Sequence, residues 1–237
     1  MSFPFMTSAQ NDTSATTLLA LDTATELCSV ALLTEGQVFF REQLDPQGHS
    51  RLVLQMIEQV LEEGKTKRSD LEAVSYDAGP GSFTGIRIGA GVAQGISIGL
   101  KIPVLGVSSL MILAESVGDQ NPDQRPVLAA IDARMKQIYW ACLEQNAAEA
   151  LGWVWRQEPT VGDPALAQHA TSGCIGIGSG WDRYADAIAN DSDVPWIKAR
   201  FPDASHQACL AKRLFDSGGV SNWQHSLPTY VRDQVTG

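Results

Sequence analysis

The sequence predicts an α/β protein built from two related lobes, of which the second is shorter. The first observation is an internal repeat: Leu18–Asp22 recurs as Leu128–Asp132, and Val30–Leu33 recurs at the same offset as Trp140–Leu143. In each copy an apolar strand ends at an aspartate, a polar turn follows, and a second strand begins. The second observation is a third strand in both copies, so each lobe opens as an antiparallel three-stranded meander.

The first lobe continues after its meander with alternating helices and strands. Residues 49–63 carry apolar side chains at the spacing of one helical face, which predicts an amphipathic helix. We predict, in order, the third strand at 37–43, this helix, a buried strand at 71–78, a glycine-rich helix up to residue 100 and a short strand at 103–107.

The second lobe carries a reduced version of the same pattern. Its predicted elements after the repeat are a strand at 152–157, a short helix at 164–170, a strand at 174–178 and a helix at 181–189. Two βββαβα units in tandem are the layout of the actin-like ATPase (ASKHA) fold, a ribonuclease H-like architecture. We therefore predict this two-lobe fold, in which nucleotide lies between the lobes of the ATPases.

Composition predicts where the chain divides. Residues 1–17 are polar and are predicted to form a disordered tail, in which Met6 is an alternative start. Prolines and polar residues near 118–126 separate the lobes. We place the first lobe at 18–115, the reduced second lobe at 116–204, and a C-terminal helix and tail that pack back toward the first lobe at 205–237.

Composition also limits the function. Apolar residues at 44% and charged residues at 19% are typical of a globular protein. The net charge of −10 disfavours nucleic-acid binding by this chain alone, because phosphate affinity depends on Lys and Arg. We expect neither a signal peptide nor a membrane span, and the four dispersed cysteines are expected to be free thiols. Cytoplasm is the expected location.

A glycine loop joins the buried strand to the glycine-rich helix. Residues 79–87 read Gly-Pro-Gly-Ser-Phe-Thr-Gly-Ile-Arg, which predicts a sharp turn into the helix. Free N–H groups at a helix N-terminus attract anions. The spacing matches neither a P-loop, which needs a lysine, nor the dinucleotide fingerprint. An anion site and a purely structural turn are both open on the loop alone.

The turns at the strand ends suggest a vestigial nucleotide site. The first lobe would contribute Asp22, Thr23, Ser82 and Thr84. The corresponding turn of the second lobe, Asp132–Met135, has no glycine or hydroxyl that would admit a phosphate. An aspartate at a strand end is also a common turn former, and that alternative is open for both turns.

The glycine-rich helix predicts a close contact with another element. Each glycine inside a helix costs about 1 kcal/mol relative to alanine, so the series needs a packing reason. Packing on the chain's own sheet and packing on a partner helix both explain the spacing. For the second alternative we predict a partner interface on the first helix and the glycine-rich helix, formed by Leu52, Met56, Gln59, Gly85, Ile86, Gly89, Ala90 and Ala93.

These residues resemble one family, TsaB (also called YeaZ), a bacterial component of the machinery for threonylcarbamoyladenosine in tRNA. The resemblance covers nearly the whole chain beyond residue 17, and the run Gly-Pro-Gly-Ser-Phe-Thr-Gly is its most specific part. The matching stretches are 19–32, His49–Ser50, Gly79–Gly89, Gly106–Leu110, Ala129–Arg134 and Pro228–Arg232.

The resemblance implies a non-catalytic subunit that pairs with the transferase TsaD, with the ATPase TsaE joining the assembly. The complex transfers a threonylcarbamoyl group to N6 of adenosine 37 in tRNAs that read codons starting with A. The resemblance implies a homodimer when the chain is alone, and tRNA contact only through the complex. It implies no cofactor of its own; ATP or ADP and a divalent metal are expected in the partner or at the shared interface.

Two other functions compete with this interpretation. An independent actin-like ATPase or small-molecule kinase would need two competent phosphate turns and an adenosine loop, for which Gly176–Gly180 is the candidate. A metallopeptidase is disfavoured, because the related transferase binds metal through His-x-x-x-His, whereas His49 is followed by Val53 here. ATP turnover by the pure chain separates a kinase from a subunit.

Overall fold

The computed structural model describes residues 16–190 and 193–219, which form two five-stranded sheets. The first lobe contains β1 (Leu18–Asp22), β2 (Leu27–Thr34), β3 (Gln37–Leu44), α1 (His49–Glu63), β4 (Ala73–Gly79), α2 (Phe83–Leu100), β5 (Val104–Ser108) and α3 (Ser109–Glu115). The second contains β6 (Val127–Asp132), β7 (Ile138–Gln145), β8 (Trp153–Gly162), β9 (Ile175–Ile177), α4 (Ser179–Ala189) and β10 (Trp196–Ile197), and α5 (Ala204–Asp216) follows.

The strand order confirms the internal repeat. The first sheet runs β3-β2-β1-β4-β5, and the second, read from its other edge, runs β8-β7-β6-β9-β10. In both, the first strand pairs antiparallel with its successor and parallel with the strand that follows the meander. The predicted two-lobe fold with tandem βββαβα units is therefore confirmed, and in the second lobe a 3₁₀ helix at Pro164–Ala170 replaces α1.

The helices divide the molecule into layers. Helices α1 and α2 cover the outer face of the first sheet, where they bury one apolar cluster with β1, β2 and β4. Helices α3 and α5 lie between the sheets and share a second cluster with strands of both lobes. A third cluster packs α4 and the 3₁₀ helix against the second sheet. Because one core includes residues of both lobes, the lobes are joined by apolar packing as well as by the chain.

Helix α5 contacts the strands of the first sheet. Its N-cap Asp203 accepts hydrogen bonds from the N–H groups of Ser205 and His206, which satisfies the helix start. The Ala204 N–H donates to Ser29 Oγ at 2.9 Å. The fully buried amide of Gln207 bonds to β1 and β4 main-chain groups. Polar bonds therefore fix the position of α5 on an otherwise apolar surface.

The described residues begin inside the predicted tail. Thr16 is buried, and the Thr17 N–H donates to the Glu72 carboxylate at 2.7 Å, so these two residues belong with the sheet rather than with a disordered tail. Residues 1–15, including Met6, lie outside the described residues, as does the 228–232 stretch of the family resemblance. Within the described part of the chain, no helix is long and apolar enough to span a membrane.

Candidate functional site

The glycine loop turns β4 into α2 and lies directly against the β1–β2 turn. Gly79 has a positive φ of 94°, which glycine adopts without strain. Ser82 caps the helix, since its Oγ accepts from the Gly85 N–H at 3.3 Å. The Ser82 N–H donates to the Ala24 carbonyl at 2.7 Å. The loop is therefore tied to the turn by its own backbone.

The glycines of the loop permit this close approach. A Cβ on Gly81 would lie 2.3 Å from the Ala24 carbonyl oxygen, and one on Gly85 would lie 2.0 Å from the Thr23 carbonyl oxygen. The Thr23 hydroxyl in turn donates to the Gly85 carbonyl at 2.7 Å. Hydrogen-bond acceptors of the turn thus fill the space beside the loop, where an anion would need donors. These contacts support the structural alternative for the glycine loop.

A matched pair of substitutions tests this close approach. We expect Gly85→Ala to destabilise the protein by about 3 kcal/mol, since its Cβ would clash with a backbone oxygen that cannot move without displacing the turn. We expect Gly91→Ala to stabilise it by about 1 kcal/mol, because a Cβ at that helical position meets nothing within 4 Å. Urea denaturation measures both, and similar changes in the two variants would contradict the close approach.

The predicted nucleotide residues do not share one open site. Asp22 and Thr23 are buried beneath the turn, whereas Ser82 and Thr84 are exposed at the start of α2. Asp22 Oδ1 accepts from the Ala24 N–H at 3.0 Å, the bond of a turn-forming aspartate. Burial, and then the charge of Asp77, raise the pKa of Asp22 well above its ordinary value. A nucleotide role for these four residues stays a prediction.

The second lobe presents a closed turn at the equivalent place. Asp132 Oδ1 accepts from the Arg134 N–H at 3.0 Å, again as a turn former. Arg134, Met135 and Lys136 all have positive φ, which is strained for residues with side chains. Arg134 reaches across to Glu26 of the first lobe at 2.9 Å, and Met135 is 84% exposed. The two strand-end turns are thus joined by an ion pair.

The predicted partner residues are mostly turned inward in this chain, and their part in a partner interface stays a prediction. Gln59 is exposed, but the other seven are buried in the chain's own core. Ala93 is 0% exposed and packs with Ala90 in the cluster under α1 and α2. The physical reason is that α2 covers the sheet with its 85-89-93 side, so these small residues allow close helix–sheet packing. The buried residues are Leu52, Met56, Gly85, Ile86, Gly89, Ala90 and Ala93.

The opposite side of α2 and the outside of α1 carry exposed apolar groups. Leu54 is 55% exposed, Phe83 54% and Ile98 52%. A Cβ on Gly91 or Gly95 would meet nothing within 4 Å, so another helix could approach the backbone there. Helices α1 and α2 also contact each other. We call these five residues, Leu54, Phe83, Gly91, Gly95 and Ile98, the α1–α2 surface.

The described residues offer few groups for a metal. No group of three or more His, Cys, Asp or Glu side chains in the described ranges is arranged to hold an ion. His49 is buried at the start of α1, with its Nε2 unpaired. Cys28, Cys142 and Cys174 are buried free thiols, as the sequence predicted.

The matched sheets and the paired strand-end turns define the class of protein, the two-lobe actin-like fold. A family model for TsaD, the tRNA N6-adenosine threonylcarbamoyltransferase, matches residues 44–156. The chain is 36% identical over 230 residues to the Escherichia coli (strain K12) tRNA threonylcarbamoyladenosine biosynthesis protein TsaB, covering 92% of this chain and 95% of that protein. The Haemophilus influenzae protein of the same name is 31% identical over 227 residues, covering 93% and 95%.

Solved structures agree with these relatives. The structure of YeaZ from Pseudomonas aeruginosa superimposes with a TM-score of 0.81 at 34% identity, covering 91% of this chain and 99% of that one. An uncharacterized protein from the same organism, with similarity to peptidase YeaZ, gives 0.83 at 35% identity, covering 92% and 100%. The chain belongs to the TsaB (YeaZ) family.

Sequence reasoning missed two features of this region. The exposed side of α2 was missed because glycines occur on both sides of the helix, although exposed Arg87 marks the solvent side. Asp77 was missed although it stands at the end of a buried strand, directly before the glycine loop. Its place beside Asp22 depends on the pairing of β4 with β1, which aligns Tyr76 with Leu21, and no local sequence pattern gives that register.

Proposed function

We propose that this chain is a non-catalytic subunit of the complex that places a threonylcarbamoyl group on N6 of adenosine 37 in tRNAs reading codons that start with A. It binds and activates a TsaD-like transferase, and a TsaE-like ATPase joins the assembly. The names of the relatives support a role in this pathway. The complex acts in the cytoplasm, and tRNA contacts the transferase rather than this acidic chain.

The α1–α2 surface is the observation that carries this proposal. Two helices side by side, with exposed Leu54 and Ile98 and two open glycines, fit the helices of a partner in a small-residue packing arrangement. Exposed apolar groups on neighbouring elements are typical of protein interaction sites. The same surface is available for a homodimer when the transferase is absent, so the two partners compete for it.

Reconstitution tests the proposal. The TsaD-like and TsaE-like proteins of the same organism are combined with tRNA and the threonylcarbamoyl donor, with and without this chain. Transfer to tRNA is expected only in the complete mixture, and this chain is expected to co-purify with the transferase. Full transfer without this chain would refute the proposal.

The proposal assigns no nucleotide or metal cofactor to this chain. We expect the isolated protein to bind ATP weakly and hydrolyse it negligibly, because turn carbonyls occupy the space beside the glycine loop and Arg134 closes the second turn onto Glu26. Calorimetric titration and phosphate release measure the two quantities. Micromolar affinity together with steady turnover would favour an independent kinase instead.

A further inference from the structure

Two aspartates stand side by side in the layer between the lobes. The parallel pairing of β1 with β4 aligns Leu21 with Tyr76, so the next residues, Asp22 and Asp77, are cross-strand neighbours. Residues in register on neighbouring parallel strands point to the same face of the sheet. Ser109, the first residue of α3, donates to Asp77 Oδ1 at 2.5 Å, which places this face toward α3 and α5. We call Asp22 and Asp77 the acid pair.

Each member of the acid pair has one satisfied oxygen and one unsatisfied oxygen. Oδ1 of Asp77 accepts from Ser109 Oγ and from the Gly79 N–H at 2.7 Å, and Oδ1 of Asp22 accepts from the Ala24 N–H. Both Oδ2 atoms are buried without a hydrogen-bond donor among the described residues. The two carboxyl groups lie within hydrogen-bonding reach of each other. Since the side chains are 0% and 2% exposed, bulk water does not solvate them.

Within residues 16–190 and 193–219, no cation is bonded to the acid pair. Two ionised carboxylates this close in a buried site repel each other strongly. Protonated His206, on the first turn of α5, is bonded through its Nδ1 to Asp203 at 2.7 Å rather than to the pair. Among the described residues, the titratable groups whose charges act on the pair are Asp203 at the start of α5 and, on the opposite face of the sheet, Cys28 and Tyr76. The neutral hydroxyl of Ser109 on α3 bonds to Asp77 directly.

We propose that Asp22 and Asp77 form one proton-binding site, in which a single proton is shared between their two Oδ2 atoms. The shared proton supplies the missing donor and leaves the pair with one negative charge. The shared proton connects the end of β1 to the end of β4, from which the glycine loop begins, within the layer that joins the lobes. Loss of the proton leaves two facing anions and loosens this connection.

The pH dependence of stability follows from the direction of the pKa changes. Burial is the main cause that raises the pKa of Asp77 to about 6, and it raises that of Asp22 well above the ordinary value. In the unfolded chain both carboxyls ionise at their ordinary pKa of 3.8. The folded state therefore binds the extra proton, and its contribution to stability is complete below 3.8 and is lost as the pH rises through the folded values.

Asparagine substitutions imitate the shared proton. In Asp77→Asn the amide oxygen keeps the bonds from Gly79 and Ser109, while the amide N–H replaces the proton toward Asp22. Asp22→Asn is the mirror image. Either single variant is expected to fold and to lose the pH dependence of the pair. The double variant places two amide groups against each other, so one buried donor stays unsatisfied and its stability is expected to fall below that of both single variants.

The test is urea denaturation across the acid and neutral range, together with a ¹³C titration of the aspartate carboxyl carbons. The ratio of folded to unfolded natural chain is compared with that of Asp77→Asn. It is expected to fall about tenfold per pH unit over the range in which the folded state holds one proton more than the unfolded state. Asp186→Asn, the same change at an exposed position on α4, is the control. Profiles are compared between variants because the Asp203–His206 pair responds to pH in all of them.

Parallel pH profiles for the natural chain and Asp77→Asn would overturn the proposal. Mg²⁺ restoring the natural chain at high pH would also overturn it, since the pair would then hold a cation.

Discussion

Ala93→Arg is expected to unfold the first lobe. Ala93 is 0% exposed and lies between α2 and the sheet, within the cluster that also contains Val53 and Tyr76. A guanidinium there would be buried without a carboxylate partner, which costs several kcal/mol, a large part of the stability of a typical domain. The expected result is insoluble protein or a chain with no cooperative thermal transition by circular dichroism.

Gly95→Arg is the matched control for this prediction. It introduces the same side chain two residues further along the same helix, at a position where a Cβ meets nothing within 4 Å. This variant is expected to fold with a melting temperature close to that of the natural chain. A folded Ala93→Arg protein that lost only its partner would show that the 85-89-93 side of α2 faces outward after all.

Ile98→Arg is expected to abolish binding to the TsaD-like partner while the protein stays folded. Ile98 is 52% exposed, so the free protein tolerates the charge. In the complex the same charge would be buried in an apolar helix contact, and a loss of at least about 4 kcal/mol corresponds to roughly a thousandfold weaker affinity. Size-exclusion chromatography and calorimetry with the partner measure the loss, and transfer to tRNA should fall with it.

Leu166→Arg provides the control for partner binding. Leu166 is 54% exposed, almost the same as Ile98, but lies on the 3₁₀ helix of the second lobe. This variant should bind the partner normally. If Leu166→Arg abolishes binding and Ile98→Arg does not, the partner docks on the second lobe and the α1–α2 surface has another role.

The fold was predictable because its pattern is local and occurs twice. The meander, the turn-forming aspartates and the amphipathic α1 each have their own signal within about 15 residues, and α1 has the predicted bounds. The orientation of α2 had only a weak sequence signal. Small or apolar residues occupy both the 85-89-93 series and the 91-95-99 series, and the solvent side is marked mainly by Arg87, one helical turn before Gly91. Packing of the 85-89-93 series against the β1–β2 turn then fixes which series is buried.

The acid pair shows a second limit of sequence reasoning. Asp22 and Asp77 are separated by more than fifty residues, and each alone resembles an ordinary turn former. Their proximity depends on the register of a parallel strand pair, which no local pattern specifies. Helix α3 had no strong sequence signal either, because its seven residues are almost entirely buried and so lack an amphipathic period.

The position of α5 links the end of the chain to its beginning. This helix is the final element of the described chain, yet it lies on β1 and β2, with a hydrogen bond from Ala204 to Ser29. During synthesis, β1 to β5 leave the ribosome before α5 exists, so the part of the inner face that α5 contacts stays uncovered while the second lobe is made. That apolar surface is open to aggregation and to chaperones during this interval. The core of the first lobe therefore needs a helix that is made after the whole second lobe.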